Sequence, residues 1–257
     1  MIYNKSKLEQ AKLDLEKKGS KFLVLDNLFD SEFIKLCESE FFSINKSDFI
    51  KYSNPLFEFE KYTLNNSEKI PNNLSLLFDT IHSETFIELV SKITGGMNLK
   101  TDGKRWGGGL HMTKPGGYLS IHKDFNILPT TYNQDTKLLR CINLIGYLNS
   151  EWKDGDGGEL EFWDQEGTSA VQKIEPRFNR WVFFDTRDNF HGHPYPYLGK
   201  SPRISIASYY YIEDNLDESE WMSTEYLKLP WMEDSDDYRK QREERSNPKI
   251  RYQNLLK

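Results

Sequence analysis

Tyr118-Leu119-Ser120-Ile121-His122-Lys123-Asp124 reads as a β-strand carrying a histidine and a carboxylate two residues apart. Side chains alternate along a strand, so Tyr118, Ser120, His122 and Asp124 are expected on one face and Leu119 and Ile121 on the other. The first face is polar and lines a pocket; the second packs a wall. His-X-Asp is two-thirds of a 2-His-1-carboxylate triad, the ligand set that leaves positions open on non-haem iron(II). Its weight depends on whether the chain also supplies a second histidine, an anchor for an acidic co-substrate and a scaffold that brings them together.

The scaffold is legible on both sides of that stretch. Upstream, Leu110-His111-Met112-Thr113 forms a strand-like run, and Pro115-Gly116-Gly117 is expected to turn the chain into the next strand. Downstream, residues 138–148 are too apolar for a strand exposed on either side and are expected at the centre of a sheet. Glycine-rich loops then separate further short runs at 159–163, 179–184 and 203–212. Many short strands without intervening helical periodicity predict a mainly β fold with flanking helices (α+β), its core a jelly roll or double-stranded β-helix of the cupin-like kind.

The 257 residues are expected to form a single domain in three parts. Residues 1–99 form a helical flank and support, 100–212 the β core, and 213–257 an acidic and aromatic C-terminal tail. In the flank, residues 5–18 suggest a peripheral helix, and Phe22-Leu23-Val24-Leu25 a strand. Asp30 caps a helix bearing Phe33, Cys37 and Phe41, and Ser83 caps one bearing Phe86, Leu89, Val90 and Ile93, which Gly95-Gly96 ends. Residues 43–73 show no readable periodicity. In the tail, acidic residues at 236–237 followed by Arg and Lys suit a helix dipole over 235–246, and the aromatics around it are expected to dock the tail on the barrel.

Composition narrows the function classes. A hydrophobic content of 37% with 14% aromatic residues supports a folded globular protein. The formal charge of −6 provides no footprint for nucleic acid, so no nucleic-acid partner is expected. No window is long and apolar enough for a membrane span, and the N-terminus shows no signal peptide, so no membrane partner and a cytoplasmic location are expected. Cys37 and Cys141 sit among apolar residues, as buried thiols in a reducing compartment do.

Of the five histidines, His111, His122 and the pair His191/His193 lie in strand-rich or turn-rich surroundings that suit a metal, whereas His82 beside a helix start reads as structural. One of His191 and His193 can complete the triad. Beyond them, Arg203-Ile204-Ser205 places a guanidinium and a hydroxyl on one strand face with Ala207, a good receptor for a carboxylate because paired charge-assisted bonds fix both charge and orientation. Tyr147 shares its strand face with Cys141, Asn143 and Ile145, and its phenol, with Asn143, is expected to help hold that carboxylate.

The ordered set His122-X-Asp124, Tyr147-Leu148-Asn149-X-X-Trp152, Gly157-Gly158-Glu159-Leu160, Phe190-His191-Gly192-His193-Pro194 and Arg203-X-Ser205 with Tyr209-Tyr210-Tyr211 resembles the iron(II)- and 2-oxoglutarate-dependent oxygenases of the prolyl-4-hydroxylase-like class. The likeness covers roughly residues 105 to 212. It implies a double-stranded β-helix, His122, Asp124 and His191 as catalytic iron ligands, and Arg203 on the 2-oxoglutarate C5 carboxylate with Ser205 and Tyr147 as helpers. The implied cofactors are Fe2+, 2-oxoglutarate and O2, with ascorbate as an accessory reductant. The implied reaction is hydroxylation of an unactivated C–H bond in a peptidyl prolyl or a small metabolite. Asp124 argues against a halogenase, which needs that coordination position for halide. Thr113 and Lys114 stand near the Pro-Gly turn where many relatives carry a tyrosine, so one pocket wall departs from the pattern. The competing reading is a non-catalytic jelly roll that binds a metal, sugar or peptide; Arg203-X-Ser205 at its spacing from a metal histidine discriminates against it.

Overall fold

The structure is a computed structural model, and it describes residues 2–16, 21–103, 105–131, 136–187, 189–215, 217 and 220–250. In chain order the strands are β1 (Phe22–Asp26), β2 (Ile50–Asn54), β3 (Glu58–Leu64), β4 (Lys100–Thr101), β5 (Gly109–Lys123), β6 (Lys137–Tyr147), β7 (Leu160–Trp163), β8 (Ala170–Ile174), β9 (Arg180–Asp185), β10 (Phe190–His193), β11 (Arg203–Asp214) and β12 (Glu225–Tyr226). The helices are α1 (Lys5–Gln10), α2 (Ser31–Ser43), α3 (Asn72–Ile81), α4 (Glu84–Ile93) and α5 (Asp236–Ser246).

All strand pairs are antiparallel, in the order β1-β9-β6-β11-β5-β10-β7-β8. β5 is the strand on which the sheet folds over. Its first half pairs with β11, from Thr113↔Arg203 to Gly109↔Ala207, and its second half pairs with β10 through His122↔His191. One strand therefore belongs to both layers and carries the chain from the neighbour of Arg203 to the His-X-Asp pair.

Alternation along the central strands sorts the two faces. Ile204 and Ile206 of β11, Ile142 and Leu144 of β6, and Trp181 and Phe183 of β9 join the main core with Leu74, Leu77 and Phe78 of α3 and Phe86, Leu89 and Val90 of α4. Each fully buried side chain of that size contributes ~1.5–3 kcal/mol by leaving water, so the helical flank holds the outer face of the sheet rigid. The opposite face of β11, with Arg203, Ser205 and Ala207, is left to line a cavity. Both predicted helix caps form: Asp30 accepts from the Phe33 amide at 2.9 Å, and Ser83 from the Phe86 amide at 3.3 Å. Ser235 likewise caps α5, with Asp236 and Asp237 in its first turn.

The structure departs from the sequence reading in three places. α1 ends at Gln10, because the Leu13 amide donates to the Ile93 carbonyl at 2.7 Å and Leu13 itself is buried, which pulls the chain out of helix; residues 17–18 of the expected helix lie outside the described ones. Residues 43–73 contain β2 and β3, and α3 starts within them. Pro115-Gly116-Gly117 does not separate two strands. It lies within β5, where the pairing with β3 jumps from Phe59↔Tyr118 to Lys61↔Thr113, so these residues loop out of one continuous strand.

Candidate active site

His122 stands near the end of β5, Asp124 one residue beyond it, and His191 directly across on β10. The imidazole Nε2 atoms of His122 and His191 lie 3.6 and 3.8 Å from the two carboxylate oxygens of Asp124, and the three ligand atoms fall within 4.8 Å of one another. Each ring is fixed from behind. His122 Nδ1 meets the Ser120 carbonyl at 2.9 Å and His191 Nδ1 meets the Asn189 carbonyl at 3.1 Å. A carbonyl only accepts, so both Nδ1 atoms carry the proton and both Nε2 lone pairs face inward, as metal-ligating histidines require. Asn189 is held in turn by donating its side-chain amide to the Asp185 carbonyl at 2.6 Å.

The electrostatics suit a divalent cation. Burial opposes ionisation of Asp124, but His122, His191 and Arg140 outweigh it and keep the carboxyl well below the usual carboxylate range. Burial, reinforced by His122, lowers His191 to about 4, so its imidazole is neutral near pH 7. Asp124 Oδ2 is buried without a hydrogen-bond donor. A neutral His191 imidazole, the inward-facing Nε2 of His122 and an ionised, under-satisfied carboxylate are the donor set that iron(II) takes.

A β-bulge decides what else meets this centre. Two steps of β10, His191 to His193, span three of β5, His122 to Leu119, so one extra residue sits in β5 and the alternation slips. Leu119 therefore lines the cavity with His122. Tyr118, expected beside the metal face, instead donates to the Pro55 carbonyl at 2.6 Å and stacks on Phe59. Ser120 is buried but does not line the cavity, whereas Ile121 packs the wall as expected, against Trp163, Phe190, Leu227 and Leu229. Gly192 permits the close strand crossing: a Cβ there would lie 2.8 Å from the Leu119 and Ser120 carbonyl oxygens.

Arg203 faces the same cavity, of about 430 Å3. Its Nε donates to the Gly158 carbonyl at 2.7 Å and one terminal nitrogen to the Tyr147 hydroxyl at 3.3 Å. Gly158 has φ +75°, and a Cβ on it would press to 2.9 Å from Arg203 Cδ, so the Gly-Gly loop is the seat of the guanidinium. Among the described residues no carboxylate pairs with Arg203, and a buried guanidinium of this kind calls for an anion. Burial raises the Tyr147 pKa against the pull of Arg203, so the phenol keeps its proton to donate. Ser205 and Asn143 line the same cavity, and Asn143 Oδ1 is buried without a partner. His193 stands apart from the triad, with its Nε2 3.5 Å from the Thr113 hydroxyl.

Among the lining residues that the sequence reading missed are Glu58, Lys61, Arg140, Tyr226 and Arg245. Arg140 is sandwiched between Phe125 and Tyr209, donates to the Trp106 carbonyl at 2.7 Å and stands 3.7 Å from Asp124. Strict alternation sets Arg140 opposite to Asn143. A bulge at Cys141, where Ile142 and Arg140 face the consecutive residues Tyr210 and Tyr211, returns both to the cavity. The other four lie on β3 and on the tail. β12 pairs with the metal strand through Tyr226↔His122, and Arg245 of α5 reaches Glu58 at 2.9 and 3.1 Å. Their only sequence signal was the charge and aromatic content of segments with no other pattern.

Residues 100–211 match the model of the 2OG-Fe(II) oxygenase superfamily. A search of curated proteins finds no match. Among solved structures, a prolyl hydroxylase from Trichoplax adhaerens, in complex with a hypoxia-inducible-factor peptide fragment, is similar at 19% identity over 80% of this chain and 90% of that one, with a TM-score of 0.59. A Pseudomonas putida prolyl-4-hydroxylase is similar at 14% identity over 77% and 95%, with a TM-score of 0.55. HygX from Streptomyces hygroscopicus, bound to nickel, 2-oxoglutarate and hygromycin B, is similar at 13% identity over 74% and 82%, with a TM-score of 0.50. The fold is thus the double-stranded β-helix of the 2-oxoglutarate oxygenases. Residues 100–211 thus resemble that superfamily on the same fold, and the His-Asp-His cluster lies within them.

Proposed function

We propose that this chain is an iron(II)- and 2-oxoglutarate-dependent oxygenase, prolyl-4-hydroxylase-like, that hydroxylates an unactivated C–H bond of a peptidyl prolyl or a small metabolite, with His122, Asp124 and His191 holding iron(II). Arg203 receives the far carboxylate of 2-oxoglutarate, assisted by Tyr147, Ser205 and Asn143. The observation that carries this reading is a buried triad and an unpaired, rigidly seated arginine opening on one cavity. The chemistry the metal supplies when bound is oxidative decarboxylation of the keto-acid by oxygen, leaving succinate, carbon dioxide and a hydroxylated product. The chain's own share is positional. Ser120 and Asn189 fix the imidazole tautomers, Gly158 and Tyr147 aim the guanidinium, and the walls exclude water from the reacting centre.

The peptide in one similar structure and hygromycin B in another support both substrate classes. A purely binding jelly roll has no use for Arg203 beside such a triad. Residues 1–99 act as the support of one oxygenase domain, since α2, α3 and α4 share a core with the sheet. A cytoplasmic location is supported by Cys37 and Cys141, both free, buried and pushed up to about 12 by burial. Among the described residues no helix is long and apolar enough to cross a membrane. The test is anaerobic addition of iron(II) and 2-oxoglutarate, which should raise a visible charge-transfer band; no band in the wild type, or an intact band in His122→Ala, contradicts the assignment.

A further inference from the structure

β3 carries a strained turn that serves no pairing of its own. Glu60 adopts the left-handed conformation with φ +46°, uncommon for a residue with a side chain. At that point three steps of β3, Glu58 to Lys61, face two of β2, Tyr52 to Asn54, so β3 is bulged. The slip brings Glu58 and Lys61 onto one face, and both line the cavity of the metal cluster. Glu58 is then tied up by Arg245 and Tyr226. Among the described residues Lys61 has no hydrogen bond or ion pair; its ammonium only lies 5.8 Å from the Tyr52 ring centroid.

Across the ladder Lys61 faces the small Thr113, and both line the cavity. The same cavity is lined by His193 of β10 and His111 of β5, whose Nδ1 and Nε2 respectively are buried without partners. Burial lowers the Lys61 pKa, with Glu58 and Asp124 pulling the other way, which is the mark of a charge not matched by its surroundings. The cavity as a whole has the same imbalance: Lys61, Arg140, Arg203 and Arg245 face only Glu58 and Asp124. A bound iron(II) and a 2-oxoglutarate dianion cancel each other and leave that excess in place.

We propose that Lys61, with His111 and His193, receives an anionic group of the substrate, a carboxylate or a phosphate, so that this oxygenase acts on an acidic substrate. The proposal rests on the oxygenase reading above and names the substrate's chemical class. An acid group seated there holds the substrate in the cavity shared with the triad, while Arg203 stays free for the co-substrate.

The test uses full-length protein loaded with nickel(II) and saturating 2-oxoglutarate, titrated calorimetrically with inorganic phosphate as the anion probe. The wild type and Lys61→Arg should bind phosphate alike, whereas Lys61→Met and Lys61→Gln should weaken it about tenfold or more, the scale of one lost ion pair in a partly buried site. Nickel and 2-oxoglutarate affinities should be unchanged in all four, and thermal melts identify any variant that fails to fold. Phosphate that does not bind the wild type, or that binds Lys61→Met and Lys61→Gln as it binds the wild type, overturns the proposal. Loss of 2-oxoglutarate affinity in the two neutral variants also overturns it, by assigning Lys61 to the co-substrate. Failure of the wild type to bind nickel or 2-oxoglutarate breaks the oxygenase reading instead.

Discussion

The two walls of the cavity are built in different ways. The metal and co-substrate wall comes from β5, β10 and β11, adjacent strands whose functional groups sit in short motifs: His122-X-Asp124, His191 and Arg203-X-Ser205. The facing wall comes from β3 and from the tail. Glu58 there meets Tyr226 and Arg245, which are far away in sequence, and Lys61 stands beside it on the same face. In the first wall, ladder pairing and the Ser120 and Asn189 carbonyls hold His122 and His191. In the second, β3 and β12 are laddered onto β5, while α5 of the tail is tied on by side chains, chiefly the Glu58–Arg245 pair over Phe57.

That contrast breaks most sharply at the metal. Asp124→Ala should abolish iron(II) binding, an effect beyond the ~10–100-fold produced by losing a supporting residue, and equilibrium dialysis of the anaerobic protein measures it. Next comes Arg203→Ala. Removing one partner of a buried charged pair costs ~3–5 kcal/mol, a loss of roughly 100-fold or more in 2-oxoglutarate affinity; a titration of the visible band with near wild-type affinity would move the anchor elsewhere.

Acid stability probes the buried histidines around both walls. Burial lowers His191 and His82 to about 4 each, with His122 and Arg105 respectively as the next causes. Both stay neutral in the fold but take up a proton in the unfolded chain below about pH 6.5. The unfolded state then binds more protons, so stability of the metal-free protein falls as pH drops from about 6.5 towards 4, by up to ~1.4 kcal/mol per pH unit for each histidine. His82 lies outside the cavity, with Nε2 2.6 Å from the Ser208 hydroxyl. His82→Gln should flatten the dependence of the melting temperature on pH while leaving metal binding intact; an unchanged slope would show that His82 titrates alike in both states.

The facing wall should respond more mildly. Arg245→Ala strands Glu58, and hydrogen bonds to charged groups are worth ~1.5–3 kcal/mol, with the lower end expected because Arg245 is partly exposed. Denaturant melts should show that loss with iron(II) and 2-oxoglutarate affinities nearly unchanged. Loss of metal binding would mean that the two walls are coupled. The smallest effect is expected for His193→Ala, which should keep iron(II) affinity within about threefold of wild type, since a non-ligand outside the triad contributes less than a supporting residue; loss of the metal would exchange its role with that of His191.

What was legible follows physical range. His122, Asp124, His191 and Arg203 could be read because strand alternation and motif spacing are local, and the structure brings them to one cavity. Alternation failed wherever a bulge intervened. The slip in β5 turned Tyr118 away and Leu119 in, the one at Cys141 brought Arg140 inward, and the left-handed Glu60 did the same for Lys61. A bulge leaves little trace in composition, because it answers to the partner strand.

By itself, then, the sequence determined the strand-rich core, the capped helices and the chemical kind of centre the chain can hold. Only the tertiary structure decided which faces those residues take, and that β3 and the tail close the cavity with an unmatched lysine. The reason is that backbone period and capping are properties of neighbouring residues, whereas register and charge balance arise only when distant strands pair.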